Sequence, residues 1–245
     1  MKKSISLTSA LLTTFVLAGA ATSAFAATTD NGATWNSNTS VTFTEPTTET
    51  PPPTIVDPED PTVPLEPSIP GTAGNFAIDY VSDLNFGTQV SSVQDQTYYA
   101  AADSNTNGAD FLQMHDLRST WSGWNITVQQ QGELATSSGA VLTGATVTYT
   151  KGNAVWTGSG AAPTGIAPTA ASSLTVNNAA QTVMSADANM GMGQWSPIYG
   201  PKADYGTTSP ISLFVPGNTP KKAAAYNTTF VWALNDTPAA TTPAP

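Results

Sequence analysis

Tyr226-Asn227-Thr228-Thr229-Phe230-Val231-Trp232-Ala233-Leu234 reads as a β-strand near the end of the 245-residue sequence. Phe230, Trp232 and Leu234 alternate with Val231 and Ala233, and residues two apart in a strand share a face. Far upstream, Gly123-Trp124-Asn125-Ile126-Thr127-Val128 has the same form: a Trp, a small or polar residue, then a branched aliphatic. Each Trp therefore sits beside an aliphatic partner on one strand face. Two such strands, so widely separated, point to one folded domain that contains both.

Composition supports this reading. Only 10% of the residues are charged, and Thr, Ala, Ser, Asn, Gly and Pro dominate. Small and β-branched residues without runs of Lys, Glu or Leu argue against helices and for short strands with many turns. Candidate strands are Phe76 to Val81, Tyr98 to Ala102, Phe111 to Leu117, Trp124 to Gln131, Ala145 to Thr150, Ser173 to Val176, Gln181 to Met184, Ile211 to Val215 and Tyr226 to Leu234. Turn-rich joints such as Asn85-Phe86-Gly87 and Pro216-Gly217-Asn218 separate them. The expected fold is all-β, an antiparallel sandwich or barrel-like domain over residues 74–238. Trp124, Trp156, Trp195, Trp232, Phe76, Phe86 and Phe214 are its candidate core.

Upstream of that domain the chain changes character twice. Residues 1–26 read as a secretory signal: Lys2 and Lys3, an apolar run from Ala10 to Ala21, then Ala24-Phe25-Ala26 as a small-x-small cleavage site. The run is shorter than the roughly 20 residues a membrane span requires, so no span is expected in the mature chain. Residues 27–44 are polar, with one possible strand at Ser40-Val41-Thr42-Phe43-Thr44. Residues 45–73 form an acidic linker that holds nine of the 19 prolines between Glu45 and Pro70. Proline removes ladder donors and like charges repel, so this segment is expected to be an extended spacer on the order of 80 Å long, without a core. A Pro, Ala and Thr tail, residues 239–245, closes the sequence.

Formal charge is −10, and removal of Lys2 and Lys3 with the leader leaves five bases against 17 acids. Such a surface repels nucleic acid and anionic lipid, which excludes both as partners. There is no Cys, so disulfides and thiolate metal sites are ruled out. For a secreted chain this favours a Gram-positive exterior.

The ordered motifs resemble the WxL family of Gram-positive cell-surface proteins. Trp124-Asn125-Ile126 and Trp232-Ala233-Leu234 stand at the two family motifs, with Ile126 where Leu is usual. Asp79 to Gly87, Asp116-Leu117-Arg118, Leu142-Thr143-Gly144-Ala145, Gly191-Met192-Gly193-Gln194-Trp195, Leu213-Phe214-Val215-Pro216-Gly217 and Leu234-Asn235-Asp236-Thr237-Pro238 complete the similarity. Ser119-Thr120-Trp121-Ser122 replaces the glycines common after the Arg. The resemblance implies non-covalent attachment to the cell wall, with peptidoglycan as ligand, and a companion WxL-interacting surface protein as a further partner. Attachment of this kind makes a secreted, surface-held protein. The alternatives are a module that binds the companion WxL-interacting surface protein, or an adhesin for host components, with wall association then indirect.

A neutral glycan would be gripped by aromatic faces, with Asn, Gln and Thr supplying hydrogen bonds. Trp124, Ile126, Trp232 and Leu234 are the contact residues the resemblance implies, and Trp121 joins them as a loop Trp. Against this stands the structural reading, in which a Trp at strand spacing beside an aliphatic residue belongs to the core. Asp116 and Arg118, two apart on one face, are expected to pair and to orient the loop before Trp124.

Catalysis is not expected. His115 is the single His, so neither a His-based triad nor a multi-His metal site can form. Carboxylate pairs among Asp79, Asp83, Asp116 and Asp187 could hydrolyse glycans, but no spacing singles out a pair. No cofactor is implied. Asp103-Ser104-Asn105-Thr106-Asn107-Gly108 matches the opening of a calcium loop, yet Met114 stands where the twelfth-position acid belongs, so a plain turn is the expected reading.

Overall fold

The structure, a computed structural model, describes residues 37–44, 51–65, 71–206 and 208–238. The chain divides into two units, residues 1–42 and 43–245. In the first, residues 37–42 are described and form no regular element. The strand expected at Ser40 to Thr44 is absent, and Val41 and Phe43 are exposed. The expected signal segment and tail lie outside the described residues.

The second unit is built from strands, as its composition requires, and its described residues contain no α-helix. In chain order they are β1 (Val56–Asp57), β2 (Asp60–Pro64), β3 (Phe76–Val81), β4 (Gln96–Tyr99), β5 (Leu112–Asp116), β6 (Trp124–Ala135) and β7 (Thr146–Thr150). Then follow β8 (Gly152–Trp156), β9 (Thr169–Ala170), β10 (Ser173–Val176), β11 (Gln181–Ala186), β12 (Gly193–Tyr199), β13 (Ile211–Val215) and β14 (Asn227–Asn235). One 3-10 turn, Lys202–Asp204, precedes β13.

All pairings are antiparallel. Three four-stranded sheets run β10-β7-β13-β4, β14-β6-β11-β9 and β3-β5-β12-β8, and β1 and β2 form a separate hairpin. The three larger sheets share one core: Trp124, Ile126 and Val128 from β6, Val147 and Tyr149 from β7, Met114 from β5 and Trp195 from β12 are all buried. Each buried aliphatic or aromatic side chain of this size contributes roughly 1.5–3 kcal/mol by leaving water. Phe214 does not join them. It points outward from β13, because Leu213 and Val215 take the inward positions of that alternation.

The proline-rich segment departs from the expected free spacer. Residues 51–65 carry the β1–β2 hairpin, and Ile55 packs with Tyr80 and Phe111 in a second small core. The fully buried Gln113 side chain holds this segment at both ends of its amide. Its Oε1 accepts from Val56 N (3.1 Å) and its Nε2 donates to Thr54 O (3.0 Å). Three apolar residues, Ile55, Val56 and Leu65, outweigh the local composition: Ile55 and Val56 are buried and Leu65 packs on the same cluster. Residues 45–50 and 66–70 lie outside the described residues.

Candidate functional site

The two Trp strands are neighbours. β14 pairs with β6 so that Trp232 lies opposite Val128 and Leu234 opposite Ile126. Directly opposed residues share a sheet face, so both motifs point their apolar side chains to the same side, into the core. The consequences differ for the two strands. β6 is flanked by β14 and β11, and Trp124 and Ile126 are both 0% exposed. Among the described residues β14 is bonded on one side alone, and Trp232 and Leu234 remain half-buried.

Trp124 has its polar edge satisfied inside the protein: Nε1 donates to Gly191 O at 3.0 Å. Gly191 has φ +78°, and a Cβ there would stand 2.6 Å from Trp124 Nε1. Gly193 lies equally close to Trp156, where a Cβ would fall 2.4 Å from the ring. The Gly191-Met192-Gly193 stretch is thus a lid whose missing side chains let it close over two indoles. Trp124 and Ile126 are core residues and have no surface to offer a ligand.

Trp121 is half-buried in the loop before β6, with φ +54°, and its carbonyl accepts from Asn189 N (2.8 Å). This loop is anchored by Asp116 and Arg118, which pair through two bonds, Nε to Oδ1 (2.9 Å) and Nη2 to Oδ2 (3.0 Å). Arg118 N also donates to Asp116 Oδ1, and the guanidinium lies 3.5 Å over the Phe76 ring. Asp116 is buried, so the pair fixes the path into Trp124, as its spacing suggested.

His115 is buried as well. Nδ1 meets both carboxylate oxygens of Asp79 at 3.0 Å, and Nε2 donates to Gly74 O at 2.9 Å. With acceptors on both nitrogens the ring is held as an imidazolium. Burial opposes that charge, but the Asp79 and Gly74 bonds outweigh it and the pKa is raised. A closed imidazolium of this kind is structural, with no nitrogen left for proton transfer to a substrate.

The open face lies elsewhere. A groove of about 1140 Å³ runs beside β14, walled by the loop 82–91 and by the segment 221–229. Leu84, Phe86, Tyr98, Tyr226, Phe230 and Trp232 present half-buried apolar or aromatic surface to it. Trp232 is braced from beneath by Tyr149, edge to face at 6.4 Å. Gly87 N donates to Asn85 Oδ1 and Gln89 Nε2 to Phe86 O, which fold the loop back on itself and present Phe86. Lys221 spends its ammonium on the carbonyls of Pro216, Gly217 and Thr219, while Lys222 is exposed at the rim. Of the expected contact residues, Trp232 alone lines this groove.

The sequence that builds these strands matches a known family over most of its length. The family described as WxL domain surface cell wall-binding matches residues 29–238. The chain belongs to this family. Neither the curated proteins nor the solved structures gave a match. Membership makes this a surface, wall-associated WxL protein, of a family defined by binding and not by an enzymatic reaction. The match begins well before residue 74 and so includes the hairpin at 56–64. No helix among the described residues is long and apolar enough to cross a membrane.

Sequence reasoning missed the groove's other walls. Phe86 reads as core and does pack against it, with a half-buried ring that also faces the groove, while Tyr98, Tyr226 and Phe230 read as strand residues without a role. The available signal was the pairing of an aromatic with Asn-x-Gly in Asn85-Phe86-Gly87, a turn that displays its middle side chain.

Proposed function

We propose that the protein is exported and held at the cell wall without a covalent bond, by peptidoglycan seated in the groove beside β14. The observation that supports this is the row of Phe86, Tyr98, Tyr226, Phe230 and Trp232 along one open groove. Sugar rings present C–H faces that pack on aromatic rings, and Asn85, Gln89 and Thr229 stand beside them as hydrogen-bonding groups. Lys222 at the rim suits a peptide-stem carboxylate. The protein's acidic surface keeps it from anionic wall polymers and leaves the less charged glycan as the favoured ligand. No chemical step follows binding.

The test is co-sedimentation of the purified chain with peptidoglycan stripped of protein and anionic polymers. Phe86→Ala and Lys222→Glu should each lower retention several-fold. Lys222 is exposed, so its variant should leave the melting temperature unchanged, whereas Phe86 also packs on the core and its variant is compared at a temperature where it is fully folded. Unaltered retention of the double variant would show that the groove is not the wall site.

A second reading has its own support. Among the described residues no strand pairs with the outer edge of β14, which is nine residues long and free of proline and charge, and such an edge accepts another chain's strand. A companion surface protein would then carry the wall contact. In that case stripped peptidoglycan retains nothing, and retention returns when the companion is added.

A further inference from the structure

The loop between β4 and β5 holds charge that the protein leaves unanswered. Asp103 and Asp110 are both buried, at 1% and 2% exposure. Asp103 is well supplied: Tyr80 and Ser82 hydroxyls donate to Oδ2, and Asn105 N donates to Oδ1 at 2.8 Å. Asp110 is not. Neither of its carboxylate oxygens has a hydrogen-bond partner, and the buried Thr106 Oγ1 in the same loop has none either. The ion pairs among the described residues join His115 to Asp79, Arg118 to Asp116 and Lys151 to Asp204, so no base reaches this loop.

A buried carboxylate without a partner is among the costliest arrangements a protein can hold. Two responses exist: the group takes up a proton, or a cation joins it. The first is visible in the protein alone, where burial and the charge of Asp103 push Asp110 up to about 8. The second is favoured by what surrounds it. Every orphaned atom in the loop is an oxygen, as a hard divalent ion requires, and there is no sulfur or imidazole among them. Asn107, with φ +53°, turns the loop so that Asn107 N donates to Asp103 O and Asp103 N to Gly108 O.

We infer that residues 103–110 form a calcium site, with the Asp110 carboxylate, Asp103 Oδ1 and Thr106 Oγ1 as its side-chain ligands. Asp110 supplies the acid that the sequence pattern lacks at Met114, which is committed to the core. Calcium is preferred over magnesium because it accepts irregular all-oxygen surroundings, whereas magnesium demands a near-ideal octahedron. The site lies behind Ser82, which donates to Asp103, accepts from Phe111 N (3.0 Å) and also lines the wall groove. Ion binding would therefore fix the start of the loop that carries Phe86, although the site itself does not depend on the wall-binding reading.

The experiment is calcium titration of the full mature chain after chelator treatment, followed by calorimetry and by thermal unfolding at pH 7.5. One site per chain is expected, with the melting temperature rising by several degrees at saturation and less with magnesium at equal concentration. Asp110→Asn, which keeps the size of the side chain, should weaken calcium binding at least tenfold, and Asp60→Asn on the exposed β2 should not. Should Asp110→Asn fail to fold, Thr106→Val serves in its place and should weaken binding severalfold. Absence of a heat signal and of any melting shift at millimolar calcium would overturn the assignment. So would an equal response of the wild type and of whichever of these loop variants is measured, since that would place the ion on the acidic surface.

Discussion

Leu234 stands directly across the β6–β14 ladder from Ile126, so the third residues of the two Trp motifs meet as one cross-strand pair. The same register sets Trp232 beside Val128, and Asn235 Nδ2 donates to Asn125 Oδ1 at 3.1 Å. The two motifs are halves of one packing unit. One half is sealed in the core and the other is half-buried at a sheet edge, and the mutational consequences should separate accordingly.

Trp124→Ala should destabilise the domain by about 3–5 kcal/mol, the cost of emptying a filled indole site. Trp232→Ala should cost about half as much, because its ring is partly hydrated already. Chemical denaturation of both variants checks the order; equal losses would mean that Trp232 is packed as tightly as Trp124.

Gly191→Ala combines a left-handed backbone, about 1–2 kcal/mol for a residue with a Cβ, with a clash against Trp124. Gly139→Ala has a similar φ of +84° but open space around it. The expected loss at Gly191 exceeds that at Gly139 by at least the overpacking cost of about 1–3 kcal/mol. Thermal unfolding of the pair isolates the contact from the strain.

Gln113→Met keeps the volume of the side chain and removes both bonds to the proline-rich segment. The hairpin should loosen at a cost of about 1–3 kcal/mol, with backbone N–H of Val56 left without its acceptor. Hydrogen exchange over residues 51–65 should rise while β6 and β11 stay protected.

His115 has a raised pKa in the folded protein, set by Asp79 and Gly74 against burial, with Asp116 adding its charge and Arg118 neutralising Asp116. The stabilisation is complete below the unfolded value near 6.5 and is lost as pH climbs through the folded one. Asp110, raised by burial and by Asp103 from 3.8 to about 8, acts in the same direction: its ionisation costs stability progressively as pH rises from about 4 to about 8. The melting temperature should therefore fall as pH rises from 6.5 to about 8. In His115→Gln the part due to the imidazolium should vanish, and a profile identical to wild type would refute the charged ring.

Much of this architecture could be read directly. Phe76 to Val81, Ser173 to Val176 and Ile211 to Val215 coincide with β3, β10 and β13, because each is a β-branched run between clear turns. The joining of Asp116 to Arg118 followed from their spacing. β12 was hidden by Pro197, which argues against an interior strand. It is tolerated because the β12–β5 ladder stops at Trp195 and resumes only as a bridge at Ile198. β8 was hidden by its opening Gly-Asn, and β1–β2 by prolines that disguise three apolar anchors. The site was harder. Alternation places Trp232 on a face but does not say that β14 is an edge, and edge position is what leaves that Trp half open. Likewise the orphaned Asp110 carboxyl cannot be seen in a string of residues, since its isolation depends on the residues that the fold packs around it.

Because β14 completes the sheet from the far end of the chain, the segment with Trp124 waits through 110 residues between Asn125 and Asn235 before its second neighbour exists. Until then one whole flank of the inner strand is bare, and long-range closure of this kind is slow. The newly made polypeptide should stay pliable until its last strand is free to fold. That delay lengthens the interval in which the Trp124 side of the core stands open to water.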